Sequence, residues 1–202
     1  MGNREDIMIN HKFLLLFYLL TVTQAIAQPL LDKSPERVGF GAPVFKLTKV
    51  NDESVVLFGG RLGVILDHRF VIGAGFYRLV GDIDAPKETQ SISDRKLDFD
   101  MDYLGFDLEY IFAPHRPVHF SVHTLFGGGR AQYWRGEDTV LIEDGTVIFE
   151  PGINIMFNIT DFFRIGLGVS YRFVSDIERL PGLENRDLRA ASANVTFKFG
   201  KF

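Results

Sequence analysis

From Val147 to Val174, large apolar side chains occupy every second position. The odd residues read Val147, Phe149, Pro151, Ile153, Ile155, Phe157 and Ile159, then resume as Phe163, Ile165, Leu167, Val169, Tyr171 and Phe173. The residues between them include Glu150, Gly152, Asn154 and Asn158, then Arg164, Gly166, Gly168, Ser170 and Arg172. Alternation with a period of two predicts strands. The very short interruption at Thr160-Asp161 predicts antiparallel pairing. A water-facing wall is not built from Phe, Ile, Leu and Val, whereas Gly and Ser suit a crowded interior. Bulky aliphatics in mid-strand and aromatics toward both ends suit a lipid-facing wall with an aromatic belt at each interface. Each run exceeds the roughly 9–11 residues that a tilted strand needs to cross a bilayer. The hairpin therefore reads as two neighbouring strands of a transmembrane β-barrel.

The same pattern recurs along the chain. Further strands are predicted at about Val38–Val50, Ser54–Leu66, Phe70–Val80, Leu97–Phe112, Val118–Tyr133 and Leu188–Lys201. Turns fall at Asn51–Glu53, Asp67–Arg69 and Ala113–Pro117, the last closed to pairing by two prolines. Gly81–Lys96, Trp134–Gly145 and Ser175–Asp187 are polar and read as long loops. Short turns after strands two, four and six and long loops after three, five and seven match a membrane barrel with turns periplasmic and loops outside. The predicted fold class is all-β: an eight-stranded antiparallel up-and-down transmembrane β-barrel over residues 38–202, preceded by a cleaved signal peptide.

That signal occupies residues 1–27. Lys12 precedes the apolar run Phe13–Leu20, which leads to Ala25-Ile26-Ala27, an A-x-A cleavage pattern. Residues 28–37 form a periplasmic lead-in with Pro29 and Pro35. Removal of the signal takes away Arg4 and Lys12 together with Glu5 and Asp6, so the net charge stays at −4. No basic face for nucleic acid is implied. The chain has no cysteine, which excludes thiol catalysis, disulfides and Cys-ligated metals. A closed barrel needs none of these, because it satisfies every strand edge.

The signal, the eight alternating strands and the ending Val195-Thr196-Phe197-Lys198-Phe199-Gly200-Lys201-Phe202 resemble the small OmpA/OmpX-type outer-membrane barrels. The Gly-rich stretches Phe58–Gly63 and Val71–Phe76 resemble an uncharacterised branch of that superfamily. The resemblance implies a Gram-negative outer-membrane location, contact with outer-membrane lipids and lipopolysaccharide, and recognition of the last strand by the barrel-assembly machinery through Phe197, Phe199 and Phe202. Phe202 falls out of phase with Phe197 and Phe199.

The predicted inner wall carries Arg61, Asp107, Glu109, Glu150, Arg164 and Arg172. An eight-stranded barrel has an interior only wide enough for side chains, so buried charges there must pair. Pairing Ile159 with Phe163 across three loop residues sets Glu150 opposite Arg172, and an ion pair between them is expected. A structural network that fills and rigidifies the lumen is the expected role; a gate in a narrow pore is the alternative. His119 and Ser121 lie two apart on one strand face, a spacing that resembles the His-x-Ser of outer-membrane lipid A deacylases. They are placed near the periplasmic end and on the inner face, with no acidic residue evident at matching depth. His119 and His123 are some 13 Å apart at ~3.3 Å per residue, too far to share a metal. Gly127-Gly128-Gly129 lacks the following Lys-Ser/Thr of a phosphate loop and serves close packing or curvature. The loops carry mixed charge, including Asp82, Asp84, Lys87, Glu88, Glu137, Asp138, Glu178, Glu184 and Asp187, and could bind an extracellular ligand or a bridging divalent cation.

The expected function is a structural or surface-interaction role in the outer membrane, as a monomer with a filled lumen, no cofactor and no enzymatic activity. The alternatives are a narrow or gated porin-like channel, a secreted lipocalin-like barrel with an apolar lumen and polar exterior, and a lipid A-modifying enzyme.

Overall fold

The computed structural model describes residues 36–81, 83–86, 89, 97–135 and 139–202. The predicted signal peptide, most of the lead-in, and Asp82, Lys87, Glu88, Glu137 and Asp138 lie outside these. The strands are β1 (Arg37–Val50), β2 (Glu53–Leu66), β3 (Phe70–Val80), a two-residue β4 (Ile83–Asp84), β5 (Asp98–Phe112), β6 (Val118–Arg135), β7 (Thr139–Thr160), β8 (Phe163–Ser175) and β9 (Ala190–Gly200), with one short helix α1 (Asn185–Leu188). Each long strand pairs antiparallel with the next, β9 returns to β1, and β3 pairs β5. Eight strands thus close a ring. β4 prolongs the β3 edge along β5, through Ile83↔Phe99 and Asp84↔Asp98.

The facing follows the alternation. Outside, Leu104 is 66% and Phe106 75% exposed, and Phe58, Ile72, Phe120, Ile153, Leu167 and Phe199 share that surface. Beside the turns lies an aromatic belt: Phe112 stacks on Phe120 at 4.5 Å, Phe163 on Phe199 at 4.9 Å, and Phe70 meets Tyr110 edge-on at 5.0 Å. A lipocalin-like arrangement, with polar residues outward, is thereby overturned.

Two turns explain how the ring is drawn tight. Asn51 and Asp52, and likewise Asp67 and His68, take positive φ values between 49° and 64°. Two consecutive residues in this region make the turn that matches the right-handed twist of a hairpin, and Asn and Asp tolerate it.

Three expectations need correction. The described part of Trp134–Gly145 is strand, since β6 runs to Arg135 and β7 starts at Thr139. β6 and β7 go on pairing past the apolar belt, through Ala131↔Asp144 and, beyond a register shift at Tyr133/Trp134, Arg135↔Thr139. Ladder bonds are made by the backbone and need no apolar face, so a polar hairpin continues into water where only composition had signalled an end. Leu188 belongs to α1, and the last strand begins at Ala190. The loop after β8 is not a free polar surface. Ile177, Leu180, Leu183 and Leu188 are buried and join the apolar cluster inside the barrel mouth.

That segment is anchored by specific bonds. Asp144 Oδ2 accepts the N–H groups of Glu178 and Arg179 at 2.6 and 2.7 Å. Asn185 Oδ1 accepts the Ile177 N–H at 2.9 Å, and Tyr133 donates its hydroxyl to the Pro181 carbonyl at 2.9 Å. The loop-end half of the lumen is filled by Leu57, Tyr77, Phe99, Met101, Tyr133 and Ile148 beneath it. A smaller apolar cluster of Phe40, Ala42, Ile65, Val71 and Ile111, with Val38 and Phe202 against it, fills the turn end. The charged residues lie on the inner wall along with these two plugs.

Candidate functional site: the charged lumen

The inward positions of seven strands converge on two carboxylate clusters. In the first, Arg61 of β2 donates Nε to Asp107 Oδ2 at 2.6 Å and Nη2 to Glu109 Oε2 at 2.8 Å. Lys198 of β9 reaches the same Oε2 at 2.9 Å, and Ser121 of β6 donates to Glu109 Oε1 at 2.6 Å. In the second, Lys46 of β1 donates to Glu150 Oε1 of β7 at 2.6 Å and to the Tyr103 hydroxyl at 3.1 Å. Tyr103 donates in turn to Glu150 Oε2 at 2.7 Å, and Ser170 to Oε1 at 2.6 Å. The Lys46 ammonium also sits 3.3 Å from the centre of the Tyr77 ring. Every carboxylate oxygen of Glu109 and Glu150 is thus committed to a donor, the condition under which burying a charge is tolerable. Asp107 Oδ1 alone has no partner.

Of the six predicted lumen charges, Arg61, Asp107, Glu109 and Glu150 enter these clusters. The other two do not. The predicted strand register is right: Asn158↔Arg164 and Gly152↔Ser170 belong to the frame that puts Glu150 level with Arg172. The turn differs, because Thr160 pairs with Phe163 and the extra residue is absorbed by a shift between Asn158 and Thr160. The Glu150–Arg172 ion pair does not form. Arg172, wholly buried, donates Nε to the Leu188 carbonyl at 2.9 Å and Nη2 to the Lys49 carbonyl at 3.1 Å. The Leu188 carbonyl at the end of α1 and the Lys49 carbonyl of β1 hold its guanidinium away from Glu150, and Lys46 takes Glu150 from across the lumen. Arg164 instead lies under the Phe202 ring, with Cζ 3.9 Å from its centre. The out-of-phase Phe202 is therefore turned onto the turn-end plug, not along the wall with Phe199.

Lys46 and Lys198 were not among the predicted members. Both had a signal: Lys46 alternates with the outward Phe45 and Leu47, and Lys198 with Phe197 and Phe199.

Ser121 is wholly buried, and an acidic partner does exist at its depth, in Glu109. His119 is not its base. Nδ1 of His119 lies 3.4 Å from the Arg116 carbonyl oxygen, and its Nε2 has no partner. His123 meets Asn154 at 2.9 Å. The geometry fits interstrand bracing, with Ser121 acting as donor to a carboxylate and no open surface at the serine.

No protein-family model and no curated protein matches this sequence. Solved structures do. Neisserial surface protein A is similar over 84% of this chain and all of its own, at 13% identity and a TM-score of 0.59. Ail, the attachment invasion locus protein of Yersinia pestis, in complex with the heparin analogue sucrose octasulfate, is similar over 84% of this chain and all of its own, at 11% identity and a TM-score of 0.53. The N-terminal β-barrel domain of Pseudomonas aeruginosa OprF is similar over 83% and 99%, at 13% identity and a TM-score of 0.52.

Proposed function

Starting from the fold of the small outer-membrane barrels, we propose that this chain is a structural or surface-interaction protein of the Gram-negative outer membrane, with a lumen that does not conduct. One observation carries the reading: the barrel is apolar outside and sealed inside at both ends, by residues 177–188 at the loop mouth and by the Phe40 cluster with Phe202 at the other. The carboxylates between them are paired with Lys46, Arg61 and Lys198, so they brace the wall instead of lining a water path. On this reading the turns and the start of β1 face the periplasm. Outer-membrane lipids and lipopolysaccharide surround the wall, and Phe197, Phe199 and Phe202 serve recognition by the assembly machinery. The chain acts as a monomer and not as an enzyme.

A surface-binding role rests on the hairpin that β6 and β7 raise beyond the apolar belt, and on the exposed charges at that end of the barrel, where Arg130 of β6 pairs with Asp102 of β5 at 2.9 Å and Arg78 of β3 with Asp100 of β5 at 2.7 Å. The Ail structure, with its sulfated ligand, is a similar barrel that binds a polyanion, which favours this over a purely structural role.

The test combines fractionation, heat-dependent mobility and planar-bilayer recording. Outer-membrane recovery, a mobility change on boiling and no steady conductance are expected. Soluble periplasmic protein without a mobility change would overturn the membrane reading, and large steady conductance would replace the sealed lumen with a pore.

A further inference from the structure

The lumen charges do not balance. Among the described residues, five buried cations (Lys46, Arg61, Arg164, Arg172 and Lys198) stand against the buried carboxylates Asp107, Glu109, Asp144 and Glu150. Asp144 serves the backbone of residues 178 and 179 at the loop mouth, and Glu109 and Glu150 have both oxygens taken. Lys46, Arg61 and Lys198 have carboxylates, and Arg172 has carbonyls. Arg164 has neither. It is 6% exposed and its Nε has no hydrogen-bond partner; the Phe202 ring covers it, and the carboxylate its charge feels is Glu109, already bonded to Arg61, Lys198 and Ser121.

A buried guanidinium that shares its nearest carboxylate with two other cations is only partly compensated. Its neighbours deepen the imbalance. Lys198 is its direct partner on β9, and Asn158 on β7. A second orphan faces the same end of the lumen: His119 is 4% exposed and its Nε2 is unpartnered. His119 stands opposite Met156, which stands opposite Gly166, two residues from Arg164 on the same face. Two strand spacings and one two-residue step put the two Cα atoms about 12 Å apart, within reach of one small oxyanion held by both side chains, and the Met156 side chain lies over Gly166 on the wall between them.

We propose that the turn end of the lumen is an oxyanion site, with Arg164 as its anchor, His119 at its deeper wall and Phe202 as its cover, and that its ligand is a phosphate-class anion. The guanidinium presents its donors in a fork that matches two oxygens of such an anion. With the His119 Nδ1–H given to the Arg116 carbonyl, Nε2 is an acceptor, and the P–OH of hydrogen phosphate donates to it. A sulfate has no such hydrogen. The periplasmic source of the anion rests on the orientation proposed above; the site itself does not, and it is tested on purified protein.

The folded barrel in detergent micelles is titrated with inorganic phosphate against chloride at matched ionic strength. The readout is the temperature at which gel mobility changes. Phosphate raises the wild-type midpoint, by a shift that grows with the logarithm of its concentration. The shift is lost in Arg164→Met and reduced in His119→Gln, and in chloride Arg164→Met is no less stable than wild type. A wild-type midpoint indifferent to phosphate, or an equal shift in Arg164→Met, overturns the site. A sulfate shift equal to that of phosphate overturns the hydrogen-phosphate assignment. If Arg164→Met does not fold, the phosphorus resonance of phosphate decides with wild type alone: it broadens on adding folded barrel and sharpens after boiling, and an unbroadened line overturns the proposal.

Discussion

Lys46 and Glu150 meet at 2.6 Å inside the barrel although 104 residues separate them in the chain. Neither is more than 3% exposed at its side chain. Removing one partner strands the other, so Lys46→Met is expected to cost about 3–5 kcal/mol. The double variant Lys46→Met with Glu150→Gln is expected to recover a large part of that loss. Denaturant titration of the refolded barrel in micelles measures both. Equal losses in the single and double variants would show that the pair is not the coupled unit.

The outer wall tolerates size better than charge. Leu108, 52% exposed, lies opposite Ile72 and Thr124 in the apolar belt. Leu108→Arg is expected to destabilise the inserted barrel by ~2–4 kcal/mol, the range for a cation at mid-membrane on a lipid face. Leu108→Ala should cost far less, because no packed interior surrounds the side chain. Unfolding in lipid vesicles distinguishes the two.

Gly105 and Gly127 pair across β5 and β6. A Cβ on Gly127 would meet the Leu104 carbonyl oxygen at 2.0 Å and the Gly105 Cα at 2.4 Å. Backbone cannot step aside as a side chain can. Gly127→Val is expected to cost at least the ~1–3 kcal/mol typical of overpacking, read as a lower heat-mobility midpoint. By contrast Gly39→Ala, where a Cβ meets nothing within 4 Å, should leave the midpoint in place.

Asp144 holds two N–H groups of the mouth segment. In Asp144→Ala these donors lose their partner, at about 1–3 kcal/mol for buried groups. The segment is then expected to open, and protease added to intact cells should cut within residues 176–189 of the variant and spare the wild type. Equal resistance would mean that the apolar contacts of Leu180 and Leu183 suffice.

The architecture was legible because alternation is dictated by geometry. Ile153 and Ile155 point one way and Asn154 the other, whatever the neighbouring strands do, and β3 runs over the predicted Phe70–Val80. The frame that sets Glu150 level with Arg172 was equally readable, since it depends on the parity of two adjacent strands. What that frame could not give is the partner. Glu150 binds Lys46, which no local pairing rule connects to it, because the contact crosses the lumen. The same limit hid Lys198 from Glu109. Where polar composition stood in for a loop, as at Trp134–Gly145, backbone pairing continued regardless. At Ser175–Asp187 the apolar residues Ile177, Leu180 and Leu183 recur every third position, a spacing that matches neither the period of a strand nor a sustained helix, so nothing local marked them as a plug.

The cross-lumen pairs also constrain the order of events in folding. Glu109 joins Lys198 across 89 positions, as Glu150 joins Lys46 across 104, and each pair needs β1 or β9, the strands whose meeting closes the ring. A sheet that has curled but not closed still holds these ammonium groups apart from their carboxylates. Contacts so distant along the chain are slow to form, and an open sheet in lipid would meet hydrocarbon with unpaired strand edges as well as unpaired charges. Closure and entry into the bilayer are therefore tied together, and the nascent chain requires a sheltered place in which to wait until its two ends have met.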